Sequence, residues 1–272
     1  MMGSYLYFGA KQTFMHLSYP IYFEIGGHKI LAHFVFEVLA YVAAFALYQW
    51  QRKKREETVS PIPSTQRAII MVMGGLGALL GAKGLAYLEH YQINQTLPFA
   101  MIIEEKTVLG GLLGGMLMIE LTKFVMGIRR SMGDDFCYPL ILGMMIGRVG
   151  CLSAGIYDGT HGSPTSLPWG MDLGDGIPRH PTALYEILFL GLLWVGLYAL
   201  KQRHLLKPGG QFALFMLAYT LWRLFIEFIK PIDRLPDIGL SAIQVAAAAG
   251  ALYYAAVIFH RQIFERKIYG QP

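Results

Sequence analysis

Several charged side chains of this sequence lie inside long apolar stretches, where an unpaired charge is costly. Arg148 is flanked by glycines in a Gly-Arg-Val-Gly sequence, and Arg223 and Glu227 are spaced four residues apart, which places them on one face of a helix. A guanidinium directed into a protein interior can bind a phosphate through two parallel hydrogen bonds. The arginines therefore predict an internal anion-binding site, although a purely structural ion pair between Arg223 and Glu227 explains the same spacing.

A second group of titratable residues has the spacing of a proton-transfer site. His33 and Glu37 are also four residues apart, and a carboxylate beside an imidazole raises its basicity and fixes its tautomer. The pair is thus a candidate general base, or else an interfacial histidine held by a neighbouring carboxylate. Lys106 is a second candidate base. Together with Lys83, it adds two cations that favour an anionic headgroup as ligand.

Other residues of these apolar stretches have simpler interpretations. Cys151 is either a nucleophile or a packing thiol, and with Cys137 it is one of only two cysteines, too few for a disulfide scaffold. Glu120 and Lys123 are attributed to structural ion pairs or to side chains that extend to the membrane surface. The glycine-rich run 110–115 predicts close helix packing, because it lacks the GxGxxG spacing of a nucleotide loop.

The elements that must position these residues follow from composition. Of the 272 residues, 54 % are hydrophobic and only 15 % are charged, and the mean hydropathy is +0.42. Too few charges are present to cover a soluble surface, so the chain is predicted to be an integral membrane protein. Disorder, a coiled coil and nucleic-acid binding are disfavoured. The formal charge of +5 is attributed to loops that lie against an anionic leaflet.

A spanning helix needs about 20 mostly apolar residues, and seven segments qualify. The predicted fold is an all-α membrane protein with one polytopic domain over 1–272, and its spans are 30–50, 68–88, 107–126, 136–152, 183–200, 211–230 and 239–259. The connections after spans one, three and five, with the C-terminal tail, carry 14 of the 23 lysines and arginines. This bias predicts an outside N-terminus, a cytoplasmic C-terminus, and a long irregular external loop over 153–182.

The region from Gly147 to Glu186 resembles a known family. IGRVGCLSAGIYDG and LPWGMDLGDGIPRHPTALYE are similar to the signature region of bacterial prolipoprotein diacylglyceryl transferases, and YTLWRLFIEFIKP is similar to the family's Arg-x-x-x-Glu element. The resemblance extends loosely over about 20–260. It implies transfer of diacylglyceryl from phosphatidylglycerol to a lipobox cysteine in the bacterial inner membrane, with release of glycerol phosphate and an acceptor that enters from the outer side.

The resemblance and the spacing together give a set of site residues. Those assigned to catalysis are His33, Glu37, Lys106, Arg148, Arg223 and Glu227. Those assigned to substrate binding are Lys83, Gly150, Gly159, Arg179, His180, Tyr185, Glu186 and Gln244. No cofactor and no group of metal-ligating residues is expected.

The sequence also departs from the family pattern. Leu109 stands where the family's third-span His-Gly-Gly motif has histidine, and Cys151 and Ala154 replace two asparagines. His33 aligns with a first-span tyrosine and Lys83 with an arginine. The anion-binding residues are therefore kept while the proton-handling residues are exchanged. Two alternatives stay open: transfer of a lipid or glycerol-phosphate group to a different acceptor, and non-catalytic phospholipid binding.

Overall fold

In the part of the chain that the structure describes, seven apolar helices are long enough to cross a membrane. The computed structural model describes residues 19–56, 62–90, 105–232, 234–236, 238–261 and 263. The helices are α1 (Ala32–Glu56), α2 (Ser64–Glu89), α3 (Val108–Val125), α4 (Gly133–Ala154), α5 (Thr182–Gln202), α6 (Gly210–Ile226) and α7 (Ala242–Arg261). They confirm the seven predicted spans within a few residues. Most of the polar stretch 89–106, the centre of the basic run 51–67 and the basic C-terminal tail lie outside the described residues.

The surface of the helices is apolar, as expected for a protein surrounded by lipid. Large hydrophobic side chains point outward, among them Tyr41, Phe124, Leu192 and Phe259. A water-soluble protein would not expose so many large apolar side chains along its helices. The chain is therefore a seven-helix, multi-pass membrane protein.

Close packing of α2 against α3 depends on glycine, as predicted. A Cβ atom at Gly81 would overlap the carbonyl oxygen of Gly110, and one at Gly77 would overlap that of Gly114. The two backbones can approach this closely only without side chains between them. Gly75 and Gly84 do not take part, because a Cβ at either position would meet nothing within 4 Å.

Helix α4 packs against α1, α5 and α6, so it brings residues from distant parts of the sequence together. Its first turn also fixes the start of α6. The two carboxylate oxygens of Asp134 accept hydrogen bonds from the backbone N–H groups of Gly209 and Phe212, at 2.6 and 2.9 Å. These N–H groups belong to a helix start and would otherwise lack partners.

The predicted all-α class is confirmed, and two short hairpins accompany the helices. Strands β1 (Tyr22–Ile25) and β2 (His28–Leu31) form an antiparallel hairpin, so the helix that was predicted from 30 begins at 32. The two glycines between these strands have positive φ angles, which a tight hairpin turn requires.

The segment 153–182 was predicted to be irregular, and it is partly regular. After α4 it continues as a 3₁₀ turn (Gly155–Asp158), and strands β3 (Met171–Asp172) and β4 (Pro178–Arg179) then form a second antiparallel pair. Asp172 stabilises the turn between these strands, because its Oδ1 accepts the N–H groups of Gly174 and Gly176 at 2.9 Å. Composition rich in Gly, Pro and Asp predicts such turns without predicting which strands they join.

Candidate active site

Two arginines from different helices meet at one buried carboxylate. Arg148 of α4 donates from Nε to Glu186 Oε2 of α5 at 3.0 Å, and Nη1 of Arg223 in α6 lies 3.8 Å from the same oxygen. All three residues are buried. The structure thus brings together the two arginines and the glutamate that the sequence assigned to the site.

The arginine cluster includes three further residues from the end of α6 and the turn after it. Arg223 is ion-paired with Glu227, which lies in a 3₁₀ turn (Glu227–Ile229) rather than in the helix, and Lys230 Nζ is 3.4 Å from Glu227 Oε1. The Tyr219 hydroxyl donates to Glu186 Oε1 at 2.9 Å. Sequence analysis missed Tyr219 and Lys230. Tyr219 lies four residues before Arg223, and Lys230 lies three residues after Glu227. Residues with these spacings are neighbours on a helix surface, so the spacing could have identified both.

Charge and hydrogen bonding in the cluster favour an anionic ligand. Three cationic side chains contact two carboxylates, so the directly contacting groups carry one surplus positive charge. Burial, with the nearby charge of Arg223, lowers the pKa of Lys230 to about 8, which leaves it protonated at neutral pH. Among the described residues, Arg223 Nε is buried and has no hydrogen-bond partner. A buried guanidinium N–H without a partner costs free energy that a phosphate oxygen would recover.

The predicted pairing of His33 with Glu37 is only partly correct. Their closest atoms, Nε2 and Oε2, are 4.0 Å apart, whereas Glu37 forms a direct ion pair with Lys106. His33 lies closer to Asp158, with 3.3 Å between Nδ1 and Oδ1. Spacing along one helix could not predict these partners, because Lys106 and Asp158 come from other parts of the chain.

The ion pair also bears on Lys106 as a base. Burial lowers the pKa of Lys106, but the hydrogen bond and charge of Glu37 outweigh this effect and raise it overall. A lysine held in the ammonium form is a poor proton acceptor. This favours His33 over Lys106 as the group that handles the proton.

Cys151 lies between the arginine cluster and His33. Its Sγ accepts a hydrogen bond from Arg148 Nη1 at 3.5 Å, and one ligand atom each from His33, Cys151 and Asp158 lie within 4.8 Å of one another. Sequence analysis expected no group of metal-ligating residues, whereas the structure brings three side chains of that chemistry together. These residues belong to α1, α4 and the following 3₁₀ turn, so no spacing rule could find them, and Asp158 was missed altogether.

Three of the predicted substrate-binding residues make contacts that stabilise the 153–182 segment. Arg179 Nη2 is 2.6 Å from Asp175 Oδ2, and the hydrogen bond from Arg179 lowers the pKa of that carboxyl. The Tyr185 hydroxyl accepts from Trp169 Nε1 at 2.9 Å and lies 3.2 Å from His180 Nδ1. Because Tyr185 precedes Glu186 in α5, these contacts connect the loop to the arginine cluster.

The remaining predicted residues have separate positions. Gly150 faces the backbone of His33, since a Cβ there would lie 3.2 Å from the His33 carbonyl oxygen. Gly159 is exposed in a left-handed turn after Asp158. Gln244 is fully buried and donates to the Leu224 carbonyl at 3.3 Å, which ties α7 to α6. Lys83 is half-buried in α2. It follows Ala82, whose carbonyl oxygen accepts a hydrogen bond from the backbone N–H of Thr107 at 3.1 Å.

This arrangement defines a class of protein. The described residues form a seven-helix membrane bundle with a buried arginine pair beside a histidine, a cysteine and an aspartate, an arrangement that favours an anionic ligand.

Comparison with known proteins identifies the family. The family model described as prolipoprotein diacylglyceryl transferase matches residues 20–260. A phosphatidylglycerol–prolipoprotein diacylglyceryl transferase of Bordetella bronchiseptica is 31 % identical over 241 residues, covering 80 % of this chain and 89 % of the relative. The enzyme of the same name from Idiomarina loihiensis is 30 % identical over 240 residues, covering 85 % and 86 %. The chain belongs to the prolipoprotein diacylglyceryl transferase family.

Proposed function

We propose that this protein transfers diacylglyceryl from phosphatidylglycerol to a cysteine thiol of an acceptor lipoprotein and releases glycerol phosphate. The observation that carries the proposal is the buried arginine pair, in which Arg148 and Arg223 converge on Glu186 with an unused Arg223 N–H. The names of the relatives supply the donor and the acceptor.

The reaction is a displacement at carbon. The acceptor sulfur attacks C3 of the diacylglycerol unit, the bond from that carbon to the phosphate oxygen breaks, and its electron pair leaves with glycerol phosphate. Negative charge grows on the phosphate as the bond breaks, so cations fixed beside it stabilise the transition state. Arg148 and Arg223 have this role, and Glu227 orients Arg223 through their ion pair.

The acceptor thiol must also lose its proton before or during attack. Leu109, at the family's histidine position, is fully buried in the core and cannot do this. His33 is the best-placed replacement, because it lies beside Cys151, which contacts Arg148. The thiol would then be activated on one side of Arg148 and the phosphate bound on the other.

The substrates require a defined orientation in the bacterial cytoplasmic membrane. We infer an outside N-terminus, an external 153–182 loop and a cytoplasmic C-terminus from the distribution of lysine and arginine. The test is labelling of intact cells with a membrane-impermeant maleimide. Ser166→Cys in the external loop should label directly, whereas the matched control Gln202→Cys at the end of α5 should label only after permeabilisation. Both positions are exposed. The opposite pattern would contradict the orientation.

Turnover is tested with purified protein, phosphatidylglycerol vesicles and a lipobox peptide. Glycerol phosphate should be released only when the peptide carries its cysteine, and a Cys→Ser peptide is the control. Release that also occurs with the serine peptide would favour the second candidate, transfer to a different acceptor, which the loss of the family histidine at Leu109 already suggests. A folded protein that binds phosphatidylglycerol and releases nothing would favour non-catalytic lipid binding.

A further inference from the structure

Three side chains with different ligand atoms converge at the outer end of the bundle. His33 lies in the first turn of α1, Cys151 in the last turn of α4 and Asp158 in the 3₁₀ turn that follows. Their ligand atoms lie within 4.8 Å of one another, and His33 Nδ1 is 3.3 Å from Asp158 Oδ1. Bonds of about 2.0–2.3 Å place the ligands of tetrahedral zinc roughly 3.3–3.8 Å apart, so a small contraction would complete a site.

One nitrogen of the His33 imidazole is unsatisfied within the part of the chain that the structure describes. Nδ1 of His33 is buried and makes no hydrogen bond among the described residues, although the Asp158 carboxylate is close to it. Buried polar atoms are rarely left unsatisfied. The Cys151 thiol is hydrogen-bonded to Asp158 and accepts from Arg148, so it is the imidazole nitrogen that lacks a partner. A cation held between the imidazole, the sulfur and the carboxylate would supply that partner and replace the thiol proton.

The surrounding residues orient these ligands. The Thr160 hydroxyl donates to Asp158 Oδ2 at 2.6 Å, which leaves Oδ1 directed towards His33. Gly150 lets α4 approach the backbone of His33, so that residue 151 reaches the imidazole. Hydrogen bonds that fix ligating carboxylates are a regular part of metal sites.

We propose that His33, Cys151 and Asp158 bind one zinc ion and leave a fourth coordination position open for the acceptor thiol. Mixed sulfur, nitrogen and oxygen ligands are characteristic of zinc, and three protein ligands with an open position are characteristic of its catalytic sites. The thiolate and the carboxylate balance the charge of the ion. The charge of nearby Arg148 is balanced by its ion pair with Glu186.

The inference rests on the proposed function and explains how its nucleophile forms. The acceptor thiol binds zinc and releases its proton to solvent water, because a coordinating thiol is deprotonated. The bound thiolate attacks C3 of the diacylglyceryl group, and the bond to the phosphate oxygen breaks with its electron pair moving to that oxygen. The product sulfur is an uncharged thioether, a weaker ligand, so it leaves the metal. The inference refines the role given to His33 above: with zinc bound, His33 would act on the thiol through the metal, and without zinc it would accept the proton itself.

The metal site can be tested without either substrate. Full-length protein purified in detergent after growth with zinc should contain about one zinc ion per chain by elemental mass spectrometry. Cys151→Ser, His33→Ala and Asp158→Asn should each lower occupancy at least ~10-fold, while Cys137→Ser, which changes the other cysteine, should retain it. Replacement by Co²⁺ should give a thiolate-to-cobalt absorption band that Cys151→Ser lacks. Thr160→Val should weaken zinc binding ~10- to 100-fold, and Thr160→Ser should restore it.

The outcomes separate this inference from the proposed function. Zinc that binds through these three residues in a protein without transfer activity would support the site and contradict the function. Transfer by a protein that contains no metal and is unaffected by chelators would support the function and overturn the site. Zinc retained in Cys151→Ser with no change in the cobalt spectrum would also overturn it.

Discussion

Removing Arg223 separates its contribution to folding from its contribution to phosphate binding. Arg223→Ala leaves Glu227, which is fully buried, with Lys230 at 3.4 Å as its remaining ionic partner. Breaking a buried pair by deleting one partner costs about 3–5 kcal/mol. Because Lys230 stays in contact, we expect the lower end, about 3 kcal/mol of unfolding free energy.

A double variant distinguishes the two contributions. Arg223→Met with Glu227→Leu removes both charges and fills the space with apolar side chains, a change that is often neutral for stability. Because Glu227→Leu also removes the carboxylate beside buried Lys230, we expect only part of the lost stability to return. Turnover should stay about 10²- to 10³-fold below wild type, the usual effect of deleting one group that stabilises charge in the transition state.

The assays are thermal unfolding in detergent and initial rates of glycerol phosphate release, with Arg223→Lys as the conservative control. Lysine keeps the charge but loses the planar fork, so its rate should lie between those of wild type and Arg223→Ala. Wild-type turnover in the folded double variant would refute the phosphate-binding role of Arg223.

Three further predictions concern other parts of the molecule. His33→Gln should leave a folded protein that still binds phospholipid but turns over at least ~10²-fold more slowly, whereas Lys106→Met should retain more activity. Equal losses of steady-state rate in the two variants would contradict the assignment of proton transfer to His33 rather than Lys106. Gly81→Ala should lower the unfolding free energy by about 1–3 kcal/mol, because the new methyl group forces α2 and α3 apart. Gly84→Ala is the matched control: its methyl group meets no neighbour, so the variant should be neutral or stabilising. Denaturation in detergent measures both changes. Burial lowers the pKa of Lys230 from 10.5 to about 8, so the unfolded state binds more protons than the folded state between these pH values. The unfolding free energy should therefore rise with pH across that window, by at most about 1.4 kcal/mol per pH unit. A Lys230→Met variant that shows the same rise would contradict the assignment of this pH dependence to Lys230.

The number and limits of the helices could be predicted because they depend on local hydropathy. Each span is a continuous apolar run of the length that a bilayer requires, and this property does not depend on contacts with the rest of the chain. The hairpin at 22–31 escaped prediction because Ile30 and Leu31, at the end of its second strand, continue directly into the apolar helix that begins at Ala32. Its glycine turn, Gly26-Gly27, was the only local signal.

The candidate site was predictable where its geometry follows the period of one helix. Arg223 and Glu227 pair as their spacing predicts, and of the two interpretations of Glu120 and Lys123 the structure shows the ion pair, at 2.7 Å. The pairing of His33 with Glu37 was less accurate, because a residue 69 positions further along the chain takes the carboxylate. Contacts between separate helices depend on packing, which periodicity does not encode.

The mass of the acceptor peptide is the most direct test of the central claim. Purified protein is incubated with phosphatidylglycerol and a lipobox peptide, and the peptide is then analysed by mass spectrometry. We predict an added mass of one diacylglyceryl group on the cysteine sulfur, stable to hydroxylamine as a thioether is, and absent with the Arg148→Ala protein. An unmodified peptide after incubation with folded, lipid-binding wild-type protein would contradict the account.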